Sequence, residues 1–290
     1  MTRFHYVQPT TLDAAVGLLK EFGPDARLLA GGTDVMVRLR SGHMRPAVVI
    51  DVKRIEALDD GITRVENSLR IGARCTVTTL LAHEQIRASF AALIEASRVV
   101  GSVQIRNRAT LVGNICNASP AADTAPALLA YGALVNLAGS NGTRQVPLTE
   151  FFRGPGKTVL GRDELVTSID LPLPDAEVGA AFTRLTRRRG VDLATLTVCC
   201  AVRRGGDVRI GLGAVAPTPL LVTGSAAEAA DESFIARVAA QASPISDVRA
   251  GREYRAAMLP VYIKRTLHLA MTRLNQDVTW NRPESQSSSQ

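Results

Sequence analysis

The sequence predicts an α+β protein in which a two-lobed domain at residues 1–173 precedes a smaller α+β domain at residues 176–277. Its 290 residues are long for one domain and comfortable for two. Hydrophobic residues make up 46% and charged residues 21% of the chain, which is typical of a globular protein with a sizeable core. Two prolines flank Leu173 and the composition changes after Asp175, so the domain boundary is predicted there.

The first lobe, at about residues 1–55, is predicted from alternating helical and strand-like segments. Thr11 is placed to cap a helix whose apolar residues follow helical spacing, and Gly23-Pro24 ends that helix. A buried strand, an amphipathic segment and a second buried strand follow at residues 27–30, 35–39 and 48–52. This βαβ-like order predicts a small α/β lobe.

The second lobe, at about residues 56–173, is predicted to begin with short strands and to continue with helices. The strands and helices are expected at residues 62–65, 69–71, 76–83 and 90–100. A further helix is predicted at residues 123–130, because Asp and Pro residues occupy its first turn, as helix N-termini prefer.

In the second domain, three strands are predicted before two helices. These elements are expected near residues 181–185, 195–202, 208–214, 233–241 and 253–275. Gly205-Gly206-Asp207 suits a hairpin turn between the last two strands. Cys199 and Cys200 are neighbours in an apolar run, so their side chains are predicted on opposite faces of the sheet. The polar tail at residues 278–290 is predicted to be disordered.

The net charge of +7 comes from thirty arginines and only four lysines against 27 acidic residues. The densest basic runs are residues 187–189 and 203–204. Such runs form either a solvated face or, because guanidinium groups pair with carboxylates and phosphates, a subunit interface or cofactor edge. Aromatic residues make up only 4%, and no recognised nucleic-acid motif accompanies the charge, so no nucleic-acid partner is expected.

The cysteines and histidines indicate neither a disulfide framework nor a metal site. The four cysteines include no CxxC pair, and the four histidines are scattered without ligand spacing. The N-terminal residues lack an apolar signal segment, and no stretch approaches the ~20 apolar residues of a membrane span. We therefore expect a cytoplasmic protein without a membrane span.

Two loops of small residues are the most informative feature of the sequence. The first spans residues 29–35, Leu-Ala-Gly-Gly-Thr-Asp-Val, and the second spans residues 110–123, beginning Thr-Leu-Val-Gly-Asn. Glycine lets backbone N–H groups approach oxygen atoms that a Cβ would hold off, and successive N–H groups form an anion-binding concavity. Two such loops suit a ligand with a long phosphate-bearing middle. An ordinary strand-to-helix turn with Asp34 as its cap also explains the first loop.

Together, the two loops resemble those of the flavin subunit, or medium subunit, of the molybdenum hydroxylases, the family of xanthine dehydrogenase and carbon monoxide dehydrogenase. Further similar segments follow in the family's order at residues 182–189, 192–194 and 252–255, so the resemblance covers nearly the whole chain. It implies a two-lobed FAD-binding domain of the vanillyl-alcohol-oxidase-like (PCMH) type and a smaller α+β C-terminal domain. Such proteins bind FAD without a GxGxxG fingerprint, and the sequence contains none.

The resemblance also implies which residues contact FAD. The first loop would wrap the pyrophosphate, the second loop and an acidic residue would add hydrogen bonds, apolar residues would form a wall for the ring, and an arginine would face the flavin. These residues are Leu29, Ala30, Gly31, Gly32, Thr33, Asp34, Val35, Thr110, Val112, Gly113, Asn114, Asp123, Leu165, Val166 and Arg184.

Three of these assignments have specific alternatives. Val112 stands where the family commonly has a glycine, and a β-branched residue at positive φ is costly, so the backbone there is expected to be extended or slightly displaced. Asp123 is also explained as a helix cap. Arg184 is equally explained as a solvated side chain on a strand.

In function, the resemblance implies an electron-transfer subunit with non-covalent FAD and no catalytic residue for the organic substrate. Molybdopterin and 2Fe-2S clusters would lie on a large and a small partner subunit, in an (αβγ)2 assembly. One alternative is a self-sufficient FAD-dependent oxidase, although these often tether flavin through a His or Cys near the first loop, and residues 28–39 contain neither. The other is a flavin-free scaffold subunit, which the intact glycines in both loops disfavour.

Overall fold

The computed structural model of the chain describes residues 3–188 and 190–275. Arg189 and the tail predicted at residues 278–290 lie outside the described residues, as do residues 276–277 of the predicted second domain. The strands are β1 His5–Val7, β2 Ala26–Leu29, β3 Val48–Asp51, β4 Ile62–Val65, β5 Ser68–Gly72, β6 Leu134–Gly139, β7 Gly142–Pro147, β8 Phe152–Gly154, β9 Lys157–Thr158, β10 Leu165–Pro172, β11 Val178–Leu185, β12 Leu196–Arg203, β13 Asp207–Gly213 and β14 Leu220–Ser225.

Among the described residues, six of the α-helices follow one another between β5 and β6, and the last two helices follow the final strand. The α-helices are α1 Leu12–Phe22, α2 Val35–Arg40, α3 Val77–Ala82, α4 Glu84–Ser89, α5 Ala91–Arg98, α6 Val103–Arg106, α7 Leu111–Cys116, α8 Thr124–Ala130, α9 Leu148–Phe151, α10 Glu232–Ala239 and α11 Arg252–Asn275.

The first lobe is a three-stranded parallel sheet in the order β1-β3-β2. The predicted cap of α1 is confirmed, because the Thr11 hydroxyl accepts a hydrogen bond from the amide of Ala14 at 3.2 Å. Every residue of β3 is buried between its two partner strands. The second strand, β2, is at the edge of this sheet and leads directly into the first glycine loop.

The second lobe is a five-stranded antiparallel sheet in the order β4-β5-β10-β6-β7, with the helices α3 to α8 between β5 and β6 in the chain. The predicted strands correspond to β4 and β5, whereas β10, β6 and β7 were not predicted from the sequence. The predicted helix at residues 90–100 is shorter than expected, since α5 ends at Arg98.

The C-terminal sheet is antiparallel, with the order β11-β12-β13-β14. Helix α11 packs against β11 and β12, and the second-lobe helices α5 and α8 also pack against this sheet. Cys199 belongs to the cluster shared with the second lobe, and Cys200 belongs to the cluster with α11. The prediction that these two side chains point to opposite faces is therefore confirmed.

Buried contacts join one face of the C-terminal sheet to the two lobes and the other face to helix α11. Ala180, Phe182 and Cys199 are part of the main hydrophobic core, which also contains residues of both lobes. On the other face, the fully buried guanidinium of Arg255 donates hydrogen bonds to the carbonyl oxygens of Thr195 and Ala214 and to a carboxylate oxygen of Asp247. These bonds compensate the desolvation of a buried charge and fix the start of α11.

Neither a membrane-spanning helix nor a candidate metal cluster occurs in the described ranges. Their helices are too short or too polar to cross a membrane. Within the same residues, histidine, cysteine and acidic side chains form no group of three that could hold a metal ion.

Candidate functional site

A cleft of about 810 Å³ lies where the first glycine loop faces helix α7 of the second lobe. Its volume falls within the roughly 300–1,000 Å³ usual for small-molecule and cofactor sites. Most of the residues predicted to contact a cofactor line it: Ala30, Gly31, Gly32, Thr33, Asp34, Val35, Thr110, Val112, Gly113, Asn114, Leu165 and Val166.

In the first loop, two glycines make the backbone shape possible. A Cβ at Gly31 would lie 1.9 Å from the carbonyl oxygen of Arg108, so this glycine lets the first loop touch the segment that precedes α7. Gly32 has a φ of +77°, a conformation that side chains with a Cβ rarely adopt.

The amides of this loop remain available for a ligand. In the described part of the chain, the N–H groups of residues 31–34 donate to no backbone or side-chain acceptor. Four consecutive free N–H groups beside a cleft form a concavity suited to an anion. Asp34 precedes α2, but its side chain makes no capping hydrogen bond, so it does not act as the cap that the sequence offered as an alternative.

The second loop is the start of helix α7. The Thr110 hydroxyl accepts a hydrogen bond from the amide of Gly113 at 3.0 Å and caps this helix. Val112 is helical and 5% exposed, so the expectation of an extended backbone at this position is wrong, and a slight displacement of the loop relative to the family stays a prediction. Since a right-handed helix needs no positive φ, a β-branched residue fits here and packs into the main core.

Asn114 and Asn117 lie on the same side of α7, one helical turn apart. The carboxamide oxygen of Asn114 accepts a hydrogen bond from the Thr124 hydroxyl at 2.6 Å, which ties α7 to the start of α8. The carboxamide oxygen of Asn117 accepts from Arg38 Nη2 at 2.9 Å, and its Nδ2 donates to Asp34 Oδ1 at 3.3 Å. These last two bonds connect the C-terminal end of α7 with α2 and with the first loop.

Several cleft residues were not identified from the sequence. They include Arg27, Arg38, His43, Arg45, Cys116 and Asn117. Helical spacing was the available signal for two of them, because Arg38 follows Asp34 and Asn117 follows Gly113 by four residues. Burial raises the pKa of the Cys116 thiol to about 12, so this group stays protonated at neutral pH.

Leu29, Asp123 and Arg184 do not line this cleft. Leu29 packs with Leu39 and Val49 beneath the first loop. Asp123 Oδ2 lies 3.3 Å from Nη1 of Arg184, which connects the N-terminus of α8 to strand β11. Any contact of these three residues with a cofactor therefore stays a prediction.

The Asp123–Arg184 pair is enclosed at the junction of the second lobe and the C-terminal sheet. The side chain of Arg184 is only 12% exposed and also donates to the carbonyl oxygens of Gly190 and Asp192, so it is not a solvated side chain on a strand. Asp123 is 8% exposed, makes no capping bond, and its Oδ1 has no partner among the described residues. Burial raises the pKa of its carboxyl to about 7, although Arg184 acts in the opposite direction.

Family comparisons agree with this two-part architecture. Residues 2–174 match the family described as the FAD binding domain in molybdopterin dehydrogenase, and residues 180–270 match the CO dehydrogenase flavoprotein C-terminal domain. The chain belongs to the FAD-binding subunits of the molybdenum hydroxylases. It is thus an FAD-binding oxidoreductase subunit with the two-lobed flavin domain and C-terminal α+β domain expected for this family.

Two curated relatives match this chain over almost their entire length. The chain is 32% identical over 280 residues to the xanthine dehydrogenase FAD-binding subunit of Escherichia coli O157:H7, covering 92% of this chain and 95% of the relative. It is 32% identical over 283 residues to the carbon monoxide dehydrogenase medium chain of Hydrogenophaga pseudoflava, covering 93% and 98%. A solved structure of carbon monoxide dehydrogenase from that organism superposes with a TM-score of 0.87 at 31% identity, covering 93% and 98% of the two chains.

The residues of the cleft fit the family's cofactor. FAD has an anionic pyrophosphate between two ring systems, and the cleft offers free amides on a loop without side chains that would block their approach. The apolar Leu165 and Val166 are almost fully buried in its wall, which suits an aromatic ring.

Proposed function

We propose that this chain is the electron-transfer subunit of a three-subunit molybdenum hydroxylase. In this proposal, FAD receives electrons from the iron–sulfur clusters of a partner subunit and passes them to an external acceptor, because flavin can take up electrons singly and release two. The observation that carries the proposal is the cleft between the two glycine loops, within a chain that matches flavin subunits over 92–93% of its length.

In this proposal the protein supplies position and electrostatics. The amides of Gly31, Gly32 and Thr33 donate to the pyrophosphate, while Ala30, Asp34 and Val35 shape the loop around it. Gly113 and Asn114, held by the Thr110 cap, close the opposite side. Leu165, Val166 and Val112 contribute apolar wall, and Leu29 supports the loop from below.

We assign the Asp123–Arg184 pair to the ring end of the cofactor. Two contacts support this: Arg184 Nη1 lies 3.5 Å from the carbonyl oxygen of Val99, next to the cleft residue Val100, and Thr124, next to Asp123, binds the cleft residue Asn114. There, the guanidinium would favour negative charge on reduced flavin.

We also propose residues 1–173 as the FAD-binding domain and residues 176–277 as the C-terminal domain.

The FAD is proposed to be bound without a covalent link. Residues 28–39 contain no His or Cys, and desolvation raises the pKa of the partly exposed Cys116 thiol to about 12, which disfavours its nucleophilic thiolate form. Acid precipitation of the purified protein should release about one yellow flavin per chain into the supernatant. Flavin that stays in the precipitate would contradict this part of the proposal.

The pyrophosphate assignment is tested with Gly32→Val. At a φ of +77° a β-branched side chain is strained, and its added Cβ would lie 3.1 Å from Leu29 Cδ1 at the same loop. The variant should lose FAD and keep most of its fold, as measured by flavin absorbance and circular dichroism. Normal flavin occupancy in Gly32→Val would reject the loop assignment.

The partner assignment is tested by co-expression with the neighbouring genes. A 2Fe-2S subunit and a molybdopterin subunit should co-purify with this chain, with two copies of each in an (αβγ)2 complex. The isolated chain should contain flavin but no iron or molybdenum, and it should not oxidise purines, aldehydes or N-heterocycles. Substrate-dependent dye reduction by the isolated chain would support a self-sufficient oxidase, and a colourless chain would support a scaffold.

A further inference from the structure

Arg38 is a cationic cleft residue without a compensating anion. It lies on α2, one helical turn after Asp34, and its guanidinium is exposed at the cleft. In the described ranges, no carboxylate oxygen lies within 4.0 Å of it, and its side-chain hydrogen bond goes to the neutral carboxamide of Asn117.

Arg27 and Arg45 also line the cleft, and Arg27, on strand β2, is used differently. Arg27 directs its Nη1 to the carbonyl oxygens of Pro24 and Ala26 at 2.7 and 2.6 Å, so its donors are partly satisfied by the protein's own backbone. In the described residues, Arg38 makes one side-chain hydrogen bond, to Asn117, so its other guanidinium N–H groups remain unpaired at the cleft.

Asn117 and Asp34 hold the Arg38 side chain in position. The Asn117 carboxamide accepts from Arg38 and donates to Asp34, so all three side chains form one chain of hydrogen bonds between the two glycine loops. Fixing an arginine in advance reduces the side-chain entropy that is lost when it binds a ligand. The free amides of residues 31–34 lie on the same loop as Asp34.

We propose that Arg38 is a binding residue for the pyrophosphate of FAD and that Asn117 is its positioning residue. A pyrophosphate carries negative charge that four amide dipoles neutralise only in part, and a guanidinium supplies a full positive charge with paired donors. Arg38 also offsets the repulsion between the pyrophosphate and the Asp34 carboxylate on the same rim. This inference rests on the proposed function, which places the pyrophosphate at the first loop.

The first part of the test compares three variants of the full chain after removal of flavin, and a second part adds Asn117→Ala alone and combined with Arg38→Leu. Arg38→Leu removes the charge, Arg38→Lys keeps it without the planar donors, and Arg40→Leu removes a neighbouring exposed arginine of α2 that does not line the cleft. The Kd of FAD is measured by fluorescence titration at low and high salt, with ADP as a competing ligand that carries the pyrophosphate without the flavin. Unfolding midpoints without ligand confirm that each variant is folded.

Arg38→Leu should raise the Kd of FAD about 10-fold and weaken competition by ADP to a similar extent, since a charge-assisted contact is lost. Its Kd should also depend less on salt. Arg38→Lys should recover part of the loss, and Arg40→Leu should stay within about twofold of the natural protein. Asn117→Ala should give a smaller loss that disappears in the Arg38→Leu background.

If Arg38→Leu binds FAD and ADP as tightly as the control Arg40→Leu does, the inference is overturned and the proposed function stays intact. A natural chain that binds neither FAD nor ADP would instead reject the proposed cofactor site. The two failures are therefore distinguishable within one experiment.

Discussion

At the scale of single residues, Gly31 is where the two sides of the cleft touch. Since a Cβ there would lie 1.9 Å from the carbonyl oxygen of Arg108, Gly31→Ala must push the first loop away from the segment before α7. We expect a loss of most bound FAD and a decrease of about 1–3 kcal/mol in the free energy of unfolding, as for other overpacked sites. Flavin absorbance and urea unfolding measure the two effects.

Gly17→Ala is the matched control for this variant. Gly17 lies inside α1, has an ordinary φ, and a Cβ there meets no atom within 4 Å. Replacing a helical glycine by alanine should stabilise the protein by about 0.5–1 kcal/mol and leave the FAD content unchanged. Full flavin content in Gly31→Ala would show that FAD binding does not need the contact between the first loop and the segment before α7.

Asp123 should make the stability of the flavin-free chain depend on pH. Its folded pKa of about 7 lies above the ordinary value of 3.8, so between these values the folded carboxyl retains a proton that the unfolded chain has released. The free energy of unfolding should therefore fall as the pH rises through this window. Urea unfolding at about pH 5 and pH 8 should show a smaller fall in Asp123→Asn than in the natural protein.

Asp13→Asn provides the comparison, since Asp13 is exposed in the first turn of α1. It removes one acidic side chain at the surface and so shows the effect of a change in net charge alone. If Asp123→Asn has the same pH dependence as Asp13→Asn, the Asp123 carboxyl is ionised in the folded state throughout the window, and the Arg184 charge outweighs the effect of burial.

The first loop could be predicted from the sequence, because the missing Cβ of a glycine affects the backbone at its own position. Gly31 and Gly32 indicate close backbone approach wherever they occur, and both line the cleft. In contrast, Asp123 and Arg184 are 61 residues apart, and their pairing depends on how β11 packs beside α8. Arg38 was not predicted as a cleft residue, because an exposed arginine on a short amphipathic helix is usually solvated and its hydrogen bond to Asn117, 79 residues away, depends on the tertiary fold.

At the scale of elements, helix α8 lies directly on strand β13. A Cβ at Gly211 would be 2.1 Å from the carbonyl oxygen of Pro126, so only glycine permits this distance between a second-lobe helix and the C-terminal sheet. Gly211→Val should destabilise the chain by about 3 kcal/mol or more, as measured by urea unfolding. Thr223→Val, at an exposed position of the edge strand β14, should change stability by less than about 0.5 kcal/mol. Similar stabilities of the two variants would contradict this packing.

A helix whose ends are marked by a capping residue and a glycine was predicted well. Strands in which polar residues interrupt the apolar pattern were not predicted. Thr11 and Gly23 mark both ends of α1 in the sequence. Strand β7 was missed because it is a mostly exposed edge strand made largely of polar residues. Strand β10 is almost entirely buried, yet it contains Asp170, whose carboxylate accepts two hydrogen bonds at 2.8 Å from Arg70 on β5. The pairing of this buried carboxylate with an arginine depends on which strands are neighbours, and the sequence alone does not specify that.

At the scale of the whole molecule, the lobes and the C-terminal sheet share one hydrophobic core. Phe182 of β11 and Cys199 of β12 belong to the same buried cluster as Ile50 of the first lobe and Ile71 of the second. The predicted boundary near Leu173 therefore divides the chain, but residues on both sides of the boundary pack in the same core. A cofactor in the cleft between the lobes should be energetically coupled to all of these parts.

The flavin-free chain should consequently unfold in a single thermal transition, and FAD should raise the midpoint of that whole transition. At a free FAD concentration of about 100 times its Kd, the stabilisation should be about 2.7 kcal/mol. A chain truncated after Asp175 should be insoluble or lack FAD, because it exposes the core surface that Phe182 and Cys199 cover. Two separate transitions, of which FAD shifts only one, would show that the C-terminal sheet folds independently of the cofactor site despite its buried contacts with α5 and α8.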